Sequence, residues 1–302
     1  MPEAEVQEIY CKTLLNRVNI PDFPFRWTLN PYRGCRHACR YCYARPTHEY
    51  WGMDAGKDFD QRVFAKINAP EVLREELRRP KWQGEAIAIG TASDPYEPAE
   101  AQYQLTRRII QVLSEFQNPA SITTKGVLVR RDVDVLRELC RSADVQVIFS
   151  VGSIDDEVWK LTEPGTPRPL ARLEAMQYLV ESGIPAGVMM APLLPGISDS
   201  SEGIDTVVEA AAKHKAQFLS ANLLFLKPGS REWFMPLIRE SYPHLTAGYA
   251  RLYRGKTFAA QEYTSQVLKI VDEARHRWEL PKGCPPRLLS GPQRQLEMVL
   301  SS

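Results

Sequence analysis

Cys35, Cys39 and Cys42 stand within eight residues of one another in the run Asn30-Pro31-Tyr32-Arg33-Gly34-Cys35-Arg36-His37-Ala38-Cys39-Arg40-Tyr41-Cys42-Tyr43, at a C-x3-C-x2-C spacing. Half of the six cysteines of the chain are there. Three thiolates on one short loop can each take one iron of a cubane cluster and leave the fourth iron open to another ligand. A closed structural zinc site takes four protein ligands, and a ferredoxin-type run takes a further downstream cysteine; neither spacing occurs here. One zinc arrangement stays open, a knuckle with His37 as fourth ligand, although His37 alone reads as a solvated loop residue.

The loop resembles the cluster-binding motif of radical S-adenosylmethionine (radical SAM) enzymes, C-x3-C-x-aromatic-C, with Tyr41 in the aromatic place. The resemblance implies a [4Fe-4S] cluster on Cys35, Cys39 and Cys42 and S-adenosylmethionine chelated at the open iron. Reductive cleavage of that cofactor would give a 5′-deoxyadenosyl radical, which abstracts hydrogen from a substrate. It also implies an electron donor of flavodoxin or ferredoxin type, and Tyr41 packed against the adenine.

Such a loop needs elements to aim it, and the rest of the chain supplies a regular alternation. Apolar β-like runs fall at 26–29, 85–90, 121–124, 145–150, 186–191 and 218–226. Helical patterns fall at 69–79, 101–116, 132–141, 170–182 and 201–213, and Gly183 stands where a helix C-terminus wants a left-handed residue. Six β-then-α units running one way predict a parallel sheet curled into a partial (β/α)6 TIM-like barrel, which is also the core fold of the family the cysteines resemble. In barrels of this kind the reactive groups come from loops after the strands, and the cysteine loop follows the first strand. The expected division is an N-terminal extension at 1–25, the barrel at 26–244 and a helical C-terminal extension at 245–302.

Each later strand end carries polar candidates. The second ends in Gly90-Thr91-Ala92-Ser93-Asp94-Pro95-Tyr96-Glu97, which corresponds in place to the glycine-containing segment that binds the cofactor's amino group in the family. Thr91, Ser93 and Asp94 are the candidates there, although an Asx-type turn before Pro95 accounts equally for Ser93 and Asp94. The third ends in Thr124-Lys125 and the fourth at Ser150. Within the superfamily this is similar to the lyase that repairs spore photoproduct in DNA, which implies Lys125 for the cofactor carboxylate and Ser150 for its ribose. Arg168 or Arg172, around a proline-dense loop, could grip a carboxylate or phosphate. Leu193, after the fifth strand, could flank the adenine, although core packing is the simpler explanation. That lyase quenches its product radical with a cysteine, and this chain has none between Cys42 and Cys140. Tyr43, Tyr96 and Cys284 are the candidates for carrying or quenching a radical, with the two tyrosines flanking the cavity.

Composition bounds the rest. With 302 residues, 44% of them hydrophobic, the chain can bury a sizeable core, and it has no apolar stretch long enough to span a membrane. An acidic N-terminus without an apolar segment, together with clustered thiols, points to a cytoplasmic protein with no membrane partner, and a monomer is expected. The net charge is only +1, yet residues 1–47 carry seven Lys/Arg against four Asp/Glu, and residues 245–302 carry nine against five. Basic ends, with Arg33, Arg36 and Arg40 among Tyr32, Tyr41, Tyr43, Tyr50 and Trp51, form the mixture a nucleic acid or nucleotide uses. Ordinary solvated surface explains the uneven charge equally, and arginines that brace the cluster loop with aromatics that pack the barrel mouth explain the rest equally. Two other readings stay open: a radical SAM enzyme acting on a peptide or small metabolite, and a non-catalytic iron–sulfur or zinc protein that binds a partner.

Overall fold

The computed structural model describes residues 5–20 and 25–283. Its strands are β1 (Glu5–Ile9), β2 (Asn16–Arg17), β3 (Trp27–Leu29), β4 (Tyr32–Arg33), β5 (Arg62–Lys66), β6 (Ile87–Ile89), β7 (Ala120–Thr124), β8 (Val145–Ser150), β9 (Ala186–Leu193) and β10 (Leu219–Leu223). The helices are α1 (Lys57–Gln61), α2 (Ala69–Leu77), α3 (Glu100–Tyr103), α4 (Leu105–Glu115), α5 (Val133–Ser142), α6 (Asp156–Thr162), α7 (Pro169–Glu181), α8 (Ser201–Lys213), α9 (Ser230–Ser241), α10 (Thr246–Tyr253) and α11 (Gln261–Arg277).

One sheet runs in the order β10-β9-β8-β7-β6-β3-β2, and every pairing from β3 to β10 is parallel. These are the six strands expected from the apolar runs, and they form a partial TIM-like barrel. Alternation sorts their side chains. Ala120, Ile122, Val145, Val147, Phe149, Ala186, Val188 and Met190 are buried against the helices, in the same core as Ile109, Leu113, Leu136 and Leu139. Each of the larger side chains among them contributes about 1.5–3 kcal/mol when removed from water. The other parity faces the lumen in registered rows: Thr28, Ala88, Ser121 and Gln146 low down; Thr123, Ile148 and Gly187 above; Ser150, Met189 and Ser220 at the mouth.

Three features depart from the sequence expectation. A second sheet, β1-β5-β4, forms beside the cysteine loop, with β1 parallel to β5 and β4 antiparallel to it. The helix expected over 101–116 is broken at Gln104, which takes φ +51°. Buried Glu100 causes the break: its carboxylate accepts the Thr106 amide at 3.0 Å and so caps α4 in place of a continuing turn. Helices α6 and α9 were not expected. Asp155 caps α6 by accepting the amides of Glu157 and Val158. Among the described residues no helix is long and apolar enough to cross a membrane.

Candidate active site

Leu29 ends β3, and the next residue, Asn30, ties two loops together. Its side-chain oxygen accepts the amides of Ala92 (2.7 Å) and Ser93 (3.2 Å), and its nitrogen donates to the Thr91 hydroxyl at 3.2 Å. The cysteine loop then turns at Gly34, φ +78°, where a Cβ would lie 2.7 Å from the Arg62 carbonyl; only glycine fits. Ser93 donates its hydroxyl to Gly34 O at 2.6 Å, so the second strand's loop holds the turn from above. On the far side the loop docks on the α6–α7 connection. Arg40 N donates to Thr162 O at 2.8 Å and Gly165 N to His37 O at 3.1 Å. Fully buried Arg45 gathers the remainder, donating to Cys39 O, Gly56 O and the Asp60 carboxylate, and Ser230 at the start of α9 donates to Cys42 O at 2.8 Å.

Cys35 and Cys39 are buried and Cys42 half-buried, all three without a disulfide. Burial pushes all three thiols up, Cys39 to about 12, with Lys125 opposing the rise there and Arg45 opposing it at Cys42. The Asp94 amide points at the Cys35 sulfur and the Ala44 amide at the Cys42 sulfur, which stabilises negative charge on those atoms. Among the described residues no three His, Cys, Asp or Glu side chains converge on a single-ion position. A cubane places each thiolate on a different iron and requires no such convergence, so the donor set fits a cluster better than a zinc knuckle. His37 is not the solvated residue expected. It is 4% exposed, with Nδ1 3.2 Å from the Asp94 carboxylate, in a contact that is electrostatic rather than an aligned hydrogen bond.

Asp94 organises the next two strand ends. It accepts the Thr124 hydroxyl at 2.6 Å, the Lys125 amide at 2.7 Å and the Tyr96 amide at 2.9 Å. Burial opposes its ionisation, but His37 and these donors hold its pKa down to about 2. Lys125 then projects over the mouth. Its ammonium donates to Ser150 Oγ at 2.8 Å and sits 5.6 Å from the centre of the Tyr41 ring. Ser150 in turn donates to Ala191 O at 2.7 Å. Among the described residues no carboxylate lies within ion-pair distance of the Lys125 ammonium, although Glu163 is close by. A half-buried cation without its own anion is a receptor for one.

Tyr41, between the second and third cysteines, is 6% exposed and donates its hydroxyl to Glu163. Glu163 is held by Arg172, which is fully buried and also donates to Ser150 O (2.9 Å) and Pro167 O (2.9 Å). Burial opposes the Glu163 charge, yet Arg172 and Lys125 hold its pKa down to about 2. One buried ion pair therefore joins the cysteine loop to the end of β8.

The remaining candidates divide. Thr91 O accepts the hydroxyl of Tyr43 at 2.5 Å, and Tyr43 is 45% exposed at the mouth. Tyr96 does not flank the cavity: it is 2% exposed within the main core, because Asp94 caps the turn and swings residue 96 beneath it. Arg168 points outward to Asp156 on the surface, while Arg172 turns in. Leu193 is fully buried in the core rather than in a cavity wall. Cys284 lies outside the described residues. Sequence reasoning missed Asn30, Arg45 and Glu163 as site builders. An Asn-Pro step at a strand end was a usable signal for Asn30, and nothing local marked Arg45.

Residues 29–206 match the family model described as the Radical SAM superfamily, more than half of the chain. The chain belongs to the radical SAM superfamily. It is a radical SAM enzyme, and enzymes of this superfamily bind a [4Fe-4S] cluster and S-adenosylmethionine. The Mycobacterium tuberculosis protein Rv2578c is 42% identical over 265 residues, covering 87% of this chain and 78% of that one. The Methanocaldococcus jannaschii protein MJ0683 is 28% identical over 269 residues, covering 89% and 94%. Among solved structures, a spore photoproduct lyase mutant with bound AdoMet and dinucleoside spore photoproduct has the same fold, with TM-score 0.68, 14% identity and 92% of this chain matched to 80% of that one. Streptococcus suis SuiB bound to S-adenosylmethionine matches at TM-score 0.53 and 14% identity, over 88% of this radical SAM chain and 52% of SuiB.

Proposed function

We propose that Cys35, Cys39 and Cys42 hold a [4Fe-4S] cluster whose fourth iron is left to S-adenosylmethionine, and that residues 26–244 form the catalytic unit between extensions at 1–25 and 245–302. When bound, that pair supplies a 5′-deoxyadenosyl radical by reductive cleavage of the sulfonium. The residues of this chain do the positioning. Lys125 receives the cofactor carboxylate, and Ser150 meets the ribose while holding Lys125. Thr91 and the backbone of the Gly90–Ser93 segment face the amino group. Asp94 acts by fixing that segment to His37 and to β7. The observation that carries this reading is the unpaired Lys125 ammonium standing over Tyr41, between two of the three cysteines, at the C-terminal mouth of the barrel. Tyr43, exposed and adjacent to Cys42, is the candidate for passing or quenching a radical.

The substrate in this reading is a nucleic acid or nucleotide. The structural likeness to a lyase solved with a dinucleoside photoproduct supports it, as does the distribution of cations. The reductant is an electron donor of flavodoxin or ferredoxin type, and the protein works as a cytoplasmic monomer. Anaerobic reconstitution tests the core of the proposal: about four irons and four sulfides should bind per chain. Dithionite should then yield 5′-deoxyadenosine slowly from S-adenosylmethionine without substrate. Near-stoichiometric zinc in place of iron, or a full reducible cluster in each of Cys35→Ala, Cys39→Ala and Cys42→Ala, would overturn it.

A further inference from the structure

The loop that leaves β10 and the turn after α10 form one rim. Leu226 N donates to Thr257 O at 2.9 Å, and Arg231 donates to the carbonyls of Leu226 and Lys256. Phe225 and Phe258 meet edge to face with centroids 5.2 Å apart, and Phe258 is 65% exposed. This rim adjoins the cysteine loop, because the Lys227 ammonium lies 6.0 Å over the ring of Tyr43. Residues 225–232 and 251–258 carry five Lys/Arg against one carboxylate, Glu232, which is occupied by the Gly229 amide.

Among the described residues, cations cluster on this rim without acidic partners, whereas several on the helical flank are paired. Along α4 and α5 the cations Arg107, Arg108 and Arg141 each have an acidic partner, and Arg74 facing them pairs with Glu115. Among the described residues no carboxylate lies within ion-pair distance of Lys227, Arg251, Arg254 or Lys256. Unpaired cations interleaved with exposed aromatic faces match a chain of phosphates carrying unstacked bases.

We propose that this rim, Lys227, Arg251, Arg254 and Lys256 with Phe258 and Tyr43, is the track on which a single-stranded or locally opened nucleic acid lies as it delivers one nucleotide to the barrel mouth. The inference rests on the nucleic-acid reading above and adds to it the surface and the form of the strand. Phe258 takes a base by stacking, the cations take the flanking phosphates, and Tyr43 marks the entrance to the chamber. A paired duplex offers no base face to Phe258, so opening must precede delivery.

The test uses cluster-loaded protein and a fluorescent oligonucleotide of mixed sequence, in single-stranded and duplex form, between 50 and 200 mM salt. The single strand should bind more tightly than the duplex, with log affinity falling linearly against log salt. Joint replacement of Arg251, Arg254 and Lys256 by Ala should reduce affinity and flatten the salt slope by about two for three lost phosphate contacts. Phe258→Ala should weaken single-strand binding about tenfold without altering the slope. Uncoupled 5′-deoxyadenosine formation should be the same in both variants, which shows that they remain folded and loaded. Equal binding by wild type and both variants would overturn the rim while leaving a nucleic-acid substrate standing. Absence of oligonucleotide binding at 50 mM salt would remove the nucleic-acid substrate, leaving a free nucleotide, and overturn the rim. Competition by polyglutamate as strong as by unlabelled oligonucleotide would reassign the rim to an acidic protein and overturn the proposal.

Discussion

The ammonium of Lys125 is fixed by a serine hydroxyl 2.8 Å away, and the carboxylate near it, Glu163, is already paired with Arg172, so Lys125 can still receive an arriving anion. A charge-assisted hydrogen bond in such a place is worth about 1.5–3 kcal/mol. Lys125→Ala should therefore lower S-adenosylmethionine affinity roughly 10- to 100-fold with iron content unchanged, as read by calorimetry on loaded protein. Ser150→Ala should cost less, because it removes a neutral contact and loosens the lysine. Arg172 presents the opposite case, a cation already paired. Removing it alone strands the buried Glu163 charge, at a cost of about 3–5 kcal/mol, whereas Glu163→Leu with Arg172→Met removes both charges and should cost much less. Denaturant midpoints of the two variants distinguish these outcomes; equal destabilisation would mean that packing, not charge, dominates the pair.

At the scale of elements, the site depends on how closely the α6–α7 connection approaches the cysteine loop. A Cβ on Gly165 would drive into the Arg36 carbonyl, which is backbone and cannot swing aside. Gly165→Ala should therefore displace the loop and reduce iron loading sharply, while far-ultraviolet circular dichroism shows the barrel intact. Gly183 supplies the control. It ends α7 at φ +83° with open space around it, so Gly183→Ala should cost about 1 kcal/mol of backbone strain and leave iron loading untouched. Normal iron in Gly165→Ala would show that the loop tolerates a shift from its docking site.

Across the whole molecule, Asp94 and Glu163 tie stability to acidity. Both are held at about 2, from ordinary values of 3.8 and 4.5, so the folded state binds their protons more weakly than the unfolded chain. Their stabilisation is present in full above about pH 4.5 and is lost as pH falls toward 2, on the order of 2–3 kcal/mol for each group. Cluster-free protein, which avoids acid loss of iron, should show denaturant midpoints that fall through this window. Asp94→Asn should fall less steeply. An identical slope in the variant would place the acid sensitivity elsewhere.

The order of apolar runs was sufficient, without coordinates, to give the six parallel strands, and the cysteine spacing to suggest by resemblance the radical SAM superfamily. These are local properties. Period-two alternation and a short loop's donor types are written in consecutive residues, and the direction of a βα repeat follows from them. The places of Lys125, just after β7, and Ser150, at the end of β8, were legible for the same reason. What consecutive residues do not record is pairing at a distance. Asn30 with Ala92, Tyr41 with Glu163, and Ser230 with Cys42 are separated by 62, 122 and 188 positions. Tertiary structure also decided that Tyr96 and Leu193 are core, that Arg172 rather than Arg168 turns inward, and that His37 is buried beside a carboxylate. The deciding neighbours lie on other loops and strand ends, and burial, which sets the cost of leaving a polar group unpaired, exists only once those parts have been brought together.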